Sequence, residues 1–188
     1  MLELIKEYDR VTEILNKNIK GLKAHPKILD KEEHKYLYPA YEKAMYIAIS
    51  LSDLNIGLKY LDFSEALSNG YEANHFARNV ALISYELINH QQKITGQEVA
   101  ALISEKLGSE GLTEVKLYSK ELKSVKKENH VKLNYIRNNL MGHRTENGME
   151  MAKGMLNINH KEIYQIGKQV FGVYLKIFCA YSEVLGKL

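Results

Sequence analysis

The chain is 188 residues long, 45% hydrophobic and 26% charged, with a formal charge of +3. That length and balance describe one globular domain, 1–188, and exclude a disordered or collagen-like chain. The near-neutral charge does not announce a nucleic-acid binder, one Cys excludes a disulfide framework, and no apolar run approaches the roughly 20 residues of a membrane span. The mixed, charged start MLELIKEYDR is unlike a signal peptide, so the expected location is the cytoplasm, without membrane contact.

The two prolines are Pro26 and Pro39, and the rest of the chain is free to form long helices. No strand alternation and no fixed-period repeat stand out. Six helices are expected. The first covers about 2–22, with Leu4, Tyr8, Val11, Leu15 and Leu22 at 3–4 spacing. After the break at His25-Pro26, Asp30 suits an N-cap, with Glu32 and Glu33 in the first turn that follows. At Pro39 two arrangements are open. Either the second helix kinks there, or a short helix ends and a longer one starts with Pro39 in its first turn. The long part, about 40–62, carries Ala44, Ile47, Leu51, Leu54 and Leu58. Ser68-Asn69-Gly70 reads as a turn.

The third helix, about 71–92, is densely apolar through Phe76, Val80, Ile83 and Leu87. A short fourth, about 97–107, is stopped by Gly108. The fifth, about 112–141, carries Val115, Tyr118, Leu122, Val125, Leu133, Ile136 and Leu140. Residues 144–157, rich in Gly, Asn and Met, read as a loop, and Asn159 is placed to cap a sixth helix over about 160–186. That last helix has two apolar stripes, one through Ile163, Val170 and Ile177, the other through Phe171, Phe178 and Leu185. A helix so apolar is buried on two sides. It is either central in the bundle or half of a subunit interface. Cys179, among these residues, reads as an inert core thiol. The fold class is an all-α, up-and-down bundle of about five to six helices.

The candidate site is the stretch Arg137-Asn138-Asn139-Leu140-Met141-Gly142-His143-Arg144. The chain has 22 Lys but only four Arg, and two of those four are here. Arg is the side chain preferred where a planar fork must hold phosphate or carboxylate. On a straight helix Arg137 and Arg144 share a face, whereas His143 is turned by about 120° and displaced by about 9 Å from Arg137. The two converge if Gly142 ends the helix in a left-handed cap, or if His143 of one subunit meets Arg137 of another across a two-fold axis. The chemistry suits RNA cleavage without a metal. His143 would act as a base near neutral pH on the 2′-OH, and the Arg137 fork would stabilise the five-coordinate phosphorane. Asn138 would orient the imidazole or hold a phosphate oxygen. The competing reading is a helix end capped by Asn138 and His143, with Arg137 in a salt bridge.

On the third helix His75, Asn79, Glu86 and His90 line up within about 60°, with Arg78 beside them. They read either as a second wall of the site, Glu86 pairing with Arg137 or Arg78, or as a solvated face. Glu72-x-x-His75 has no second copy to complete a di-iron site, and no His-x3-His pair suggests zinc, so no metal and no cofactor are expected. The Lys120, Lys123, Lys126 and Lys127 cluster is diluted by Glu114, Glu121 and Glu128 and reads as a solvated face.

Arg137-Asn138-x4-His143, near the end of a long helix and before the last one, resembles the R-x(4–6)-H motif of the HEPN superfamily. The resemblance implies a helical bundle, commonly dimeric. It also implies a metal-independent endoribonuclease acting as a toxin or in abortive infection and defence, with RNA, a second copy and an antitoxin or other protein as partners. The match carries over Arg137, Asn138 and His143 only, as the catalytic set; Glu86, Arg78, Asn79 and Arg144 are expected as supporting residues from their own placement. Other members of the superfamily are non-catalytic, so a helical module binding RNA, nucleotide or a protein is the alternative it implies. The HepT-type subfamily carries a Tyr three residues after the His. Here that position is Glu146, so this subfamily is not supported.

Overall fold

The structure, a computed structural model, describes residues 2–23, 32–66, 70–142 and 148–186. Six α-helices account for most of these, with no strand among the described residues. They are α1 (Leu2–Leu22), α2 (Tyr38–Ala66), α3 (Gly70–Ile94), α4 (Gln97–Tyr135), α5 (Gly148–Leu156) and α6 (His160–Gly186). A 3-10 segment, Glu32–Leu37, leads into α2. The arrangement at Pro39 is therefore the second of the two open ones, with the proline in the first turn of α2, where its missing N–H costs nothing. The expected cap at Asp30, the break at His25-Pro26 and the turn residues Ser68 and Asn69 lie outside the described residues.

Helix α6 organises the bundle. Both of its apolar stripes are covered within the chain: Ile163, Val170 and Ile177 on one side and Tyr174, Phe178 and Leu185 on the other are buried, against α2, α3 and α4. The helix is thus central in the bundle, the first of the two readings, with Phe171 of the second stripe half-buried. Its exposed strip is narrow and holds Lys176, Cys179 and Glu183. Cys179 is thus not a core thiol. It lies between the stripes, exposed, and partial burial first and then Glu183 raise its thiol pKa.

Side-chain contacts fix the relative directions of α2, α3, α4 and α6. Tyr174 Oη donates to Leu87 O at 2.5 Å and Tyr181 Oη donates to Ile94 O, one heptad further along both helices. His160 Nε2 meets Asn74 Oδ1 at 2.8 Å near the other end. These bonds hold α6 parallel to α3 along nearly its whole length. Burial pushes both tyrosine pKa values above the ordinary range, so the protons they donate stay on. Lys132–Glu162 and Lys176–Glu121 set α4 antiparallel to α6, and Tyr46–His90 and Tyr60–Phe76 set α2 antiparallel to α3. The long helices therefore alternate up and down. Asn159 Oδ1 accepts from the Glu162 N–H at 3.1 Å, the expected cap of α6.

The stop expected at Gly108 is present: its φ of 75° and ψ of −171° are not helical and a side chain would resist that φ, so α4 is two helical stretches joined at a kink there. One expected boundary differs. Residues 148–156 are α5 rather than loop. Met151 and Met155, one turn apart, pack on the core, and Gly154 lets the helix close in. A Cβ at Gly154 would lie 2.9 Å from Leu140 Cδ2 and 3.0 Å from Tyr135 Oη.

Three helices approach closely around Val80 of α3. A Cβ at Gly57 of α2 would lie 3.0 Å from Val80 Cγ2, and one at Gly167 of α6 would lie 2.6 Å from Val80 Cγ1 and 2.9 Å from Leu58 Cδ2. Gly167→Ala gains helix propensity of up to about 1 kcal/mol, against an overpacking cost of about 1–3 kcal/mol. Stiff, buried Val80 cannot yield, so the overpacking wins. The expected outcome is a lower urea midpoint for Gly167→Ala at unchanged slope. An equal or higher midpoint would refute so close an approach.

Candidate functional site

The motif stretch is not α-helical, although its periodicity predicts a helix to about 141. Beyond Tyr135 the chain continues as a π-helix, Ile136–Gly142. Local chemistry accounts for this. Asn139 Nδ2 donates to Tyr135 O at 3.1 Å, taking up the carbonyl that an α-turn would give to the Asn139 N–H. Arg78 of α3 reaches across, donating from Nη1 to Leu140 O at 3.2 Å while its Nε holds Asn74 O at 3.2 Å. Leu140 is buried and anchors the segment, with α5 packed on it. Asn138, Asn139 and Gly142 are weak helix formers that offer little resistance. Such π segments are rare and concentrate at functional sites.

Arg137 is held from three directions. Its Nη1 donates to Asn138 Oδ1 at 2.8 Å, and Asn138 Nδ2 donates in turn to Asn134 Oδ1 at 3.0 Å. Its Nε lies 3.7 Å from Glu86 Oε1 on α3. The guanidinium carbon lies 5.9 Å from the centre of the Tyr85 ring, and that ring stacks on His130 at 5.6 Å and 21°. His130 and Arg137 are seven residues apart, a rise of about 10.5 Å, which leaves room for one ring wedged between them. His130 Nδ1 is buried and has no hydrogen-bond partner among the described residues.

The side chains of Arg137 and Glu86 are 38% and 41% exposed, so their pairing contributes at most about 1 kcal/mol to stability. Its consequence is orientation. With Nε and Nη1 engaged and one face on Tyr85, Arg137 Nη2 makes no hydrogen bond among the described residues. A fixed, half-exposed guanidinium of this kind can take an anionic oxygen.

Of the residues expected at the site, the structure brings together Arg137, Asn138 and Glu86. Glu86 pairs with Arg137 rather than Arg78, which instead secures the π segment. Asn138 holds the guanidinium through its oxygen while its amide nitrogen is committed to Asn134. The expected second wall shrinks to Glu86. Asn79 Nδ2 bonds His75 Nε2 at 3.1 Å on their own helix, and His90 Nδ1 bonds Tyr46 Oη at 2.5 Å. His143 and Arg144 lie outside the described residues. Tyr85 and His130 were not expected here. The seven-residue spacing of His130 and Arg137, which puts both on one face of the helix, is the signal that points to His130. Among the described residues no three His, Cys, Asp or Glu side chains gather as metal ligands do. No family model matches the chain, and comparison with curated proteins and with solved structures finds no match.

Among the described residues, Arg78 is the side chain from another helix that holds the π segment by a backbone bond. Arg78→Met keeps its stem and removes the bond to the Leu140 carbonyl. A hydrogen bond from a charged donor contributes about 1.5–3 kcal/mol, so amide exchange over residues 136–142 should quicken by about one to two orders of magnitude. Exchange in α6 should stay unchanged. Equal exchange rates over 136–142 would mean that burial of Leu140 alone holds the segment.

Proposed function

We propose that the protein is a metal-independent endoribonuclease of HEPN type, a toxin or defence factor, with Arg137 and His143 as its reacting groups. The observation that carries this reading is the mounting of Arg137. Its guanidinium is oriented by Asn138, Glu86 and Tyr85 yet half exposed, at the end of the same helical run that leads to His143. A guanidinium serving only as a structural salt bridge has no need of three orienting contacts at a surface position.

In the proposed reaction His143 takes the proton of a ribose 2′-OH. The O2′–P bond forms, Arg137 stabilises the phosphorane through its fork, and the P–O5′ bond breaks with a proton passing to the departing 5′-oxygen. Asn138 and Glu86 keep the fork in place. The products are a 2′,3′-cyclic phosphate and a 5′-hydroxyl. Two copies around a two-fold axis would bring His143 of one to Arg137 of the other. That dimer rests on the separation of the two residues along one helix, since the apolar α6 is covered within its own chain. A protein partner would restrain the activity in the cell.

The test is cleavage of a defined RNA by the purified chain in EDTA. Wild type should cut, leave the ends named above, and fail at a site whose 2′-OH is replaced by hydrogen. Arg137→Lys keeps the charge but loses the bidentate fork, and should lose about 2–4 kcal/mol of transition-state stabilisation with little change in melting temperature. A magnesium-dependent cut leaving a 5′-phosphate, or an equally active Lys variant, would contradict the mechanism.

A further inference from the structure

A cavity of about 150 Å³ lies between α1, α2 and α6. It shares no residue with the Arg137 site. Val11, Leu58 and Phe171 give it apolar walls, and the rings of Tyr8 and Tyr164 add aromatic ones. A cavity of this size takes roughly one benzene ring.

Its polar groups are unusually one-sided. Tyr164 Oη donates to Asp62 Oδ2 at 3.5 Å, and a carboxylate can only accept. The 2.6 Å bond between the two phenols must then run from Tyr8 to Tyr164. Tyr8 keeps its proton, because burial and the Tyr164 bond push its pKa above the ordinary range. That proton is spent, so what Tyr8 offers the cavity is a lone pair. Asn55 is similar. It is 3% exposed, and its Nδ2 donates to Tyr8 O at 3.0 Å and to Thr12 Oγ1 at 2.9 Å. What remains is its carbonyl oxygen, for which there is no donor among the described residues. Glu7, exposed where it borders the cavity, adds a carboxylate. The one cation, Lys168, is exposed, with its ammonium 5.5 Å from the centre of the Tyr164 ring.

We propose that this cavity is a binding site for a small cationic aromatic molecule, a single ring bearing an amine or amidine. The ring would occupy the apolar volume between Val11, Leu58 and Phe171. Its N–H groups would donate to Asn55 Oδ1, Tyr8 Oη and the Glu7 carboxylate, three acceptors that no one donor among the described residues satisfies together. Aromatic walls favour the same charge, since ring faces attract cations. An anionic ring of equal size would face the same three acceptors, one of them a carboxylate, with exposed Lys168 as the one cation in the lining.

The experiment is a calorimetric titration of the full chain with benzamidine, and with benzoate as the isosteric anion. Benzamidine should bind with one-to-one stoichiometry and a Kd below about 1 mM, as expected of a well-seated ligand of this size. Benzoate should bind at least tenfold more weakly. Val11→Phe, which fills the cavity, should abolish binding. Glu7→Gln, a surface change that leaves the fold alone, should weaken it severalfold, and this arm stands even if Val11→Phe fails to fold. Absence of saturable benzamidine binding, equal binding of benzoate, or binding unaffected by Glu7→Gln would overturn the proposal. None of these outcomes depends on whether the chain cleaves RNA.

Discussion

Helix α6 is apolar on two sides, and the rest of the structure follows from the need to cover both. Covering it takes three neighbours, and they fit only at close range. Val80 of α3 sits where Gly57 of α2 and Gly167 of α6 leave room for it, so three helices meet with no β-carbon intervening on two of them. Burial gives the free energy but no register, because apolar contact is nondirectional. Register comes from the hydroxyls. Tyr174 and Tyr181, seven residues apart on α6, find the carbonyls of Leu87 and Ile94, seven apart on α3. A slip of α6 by one residue would leave two buried hydroxyls without acceptors, at about 1–3 kcal/mol each.

That register reaches the candidate site through α4. Packed antiparallel to α6 and against α3, α4 brings its end alongside Tyr85 and Glu86. The same helix end changes to π winding, where Asn139 satisfies its own i−4 carbonyl and Arg78 takes the Leu140 carbonyl. Arg137 thus emerges from a segment pinned by Leu140 below and by polar contacts around it. Its own contacts are too exposed to matter much for stability. They fix direction, which is the property a phosphate-binding fork requires.

Most of the helices were legible as apolar spacing, because Ala44, Leu51, Leu54 and Leu58, or Ile163, Val170 and Ile177, repeat at the helical period and are all buried. The missed features are those that periodicity does not encode. Helix α5 carries the Gly and Asn signals of a loop, and its Met pair gains a core only once Leu140 is in place. The π winding is met by Arg78, more than fifty positions away in sequence. Cys179 sits among apolar letters, yet falls in the one strip of α6 that faces outward, beside Lys176 and Glu183. At the site, the Arg137–Glu86 pairing was legible as one of two options because both residues are charged and rare in their surroundings. The Tyr85 and His130 contacts were not, since aromatic residues at helical spacing read first as core.

The claim on which the function rests is that Arg137 and His143 act together on RNA inside a cell. The most direct measurement is growth on induced expression of the wild-type chain against His143→Ala at matched soluble levels. The account predicts growth arrest with the wild type and normal growth with the variant. Equal arrest by both proteins would contradict it, because the proton acceptor of the proposed reaction would then be dispensable.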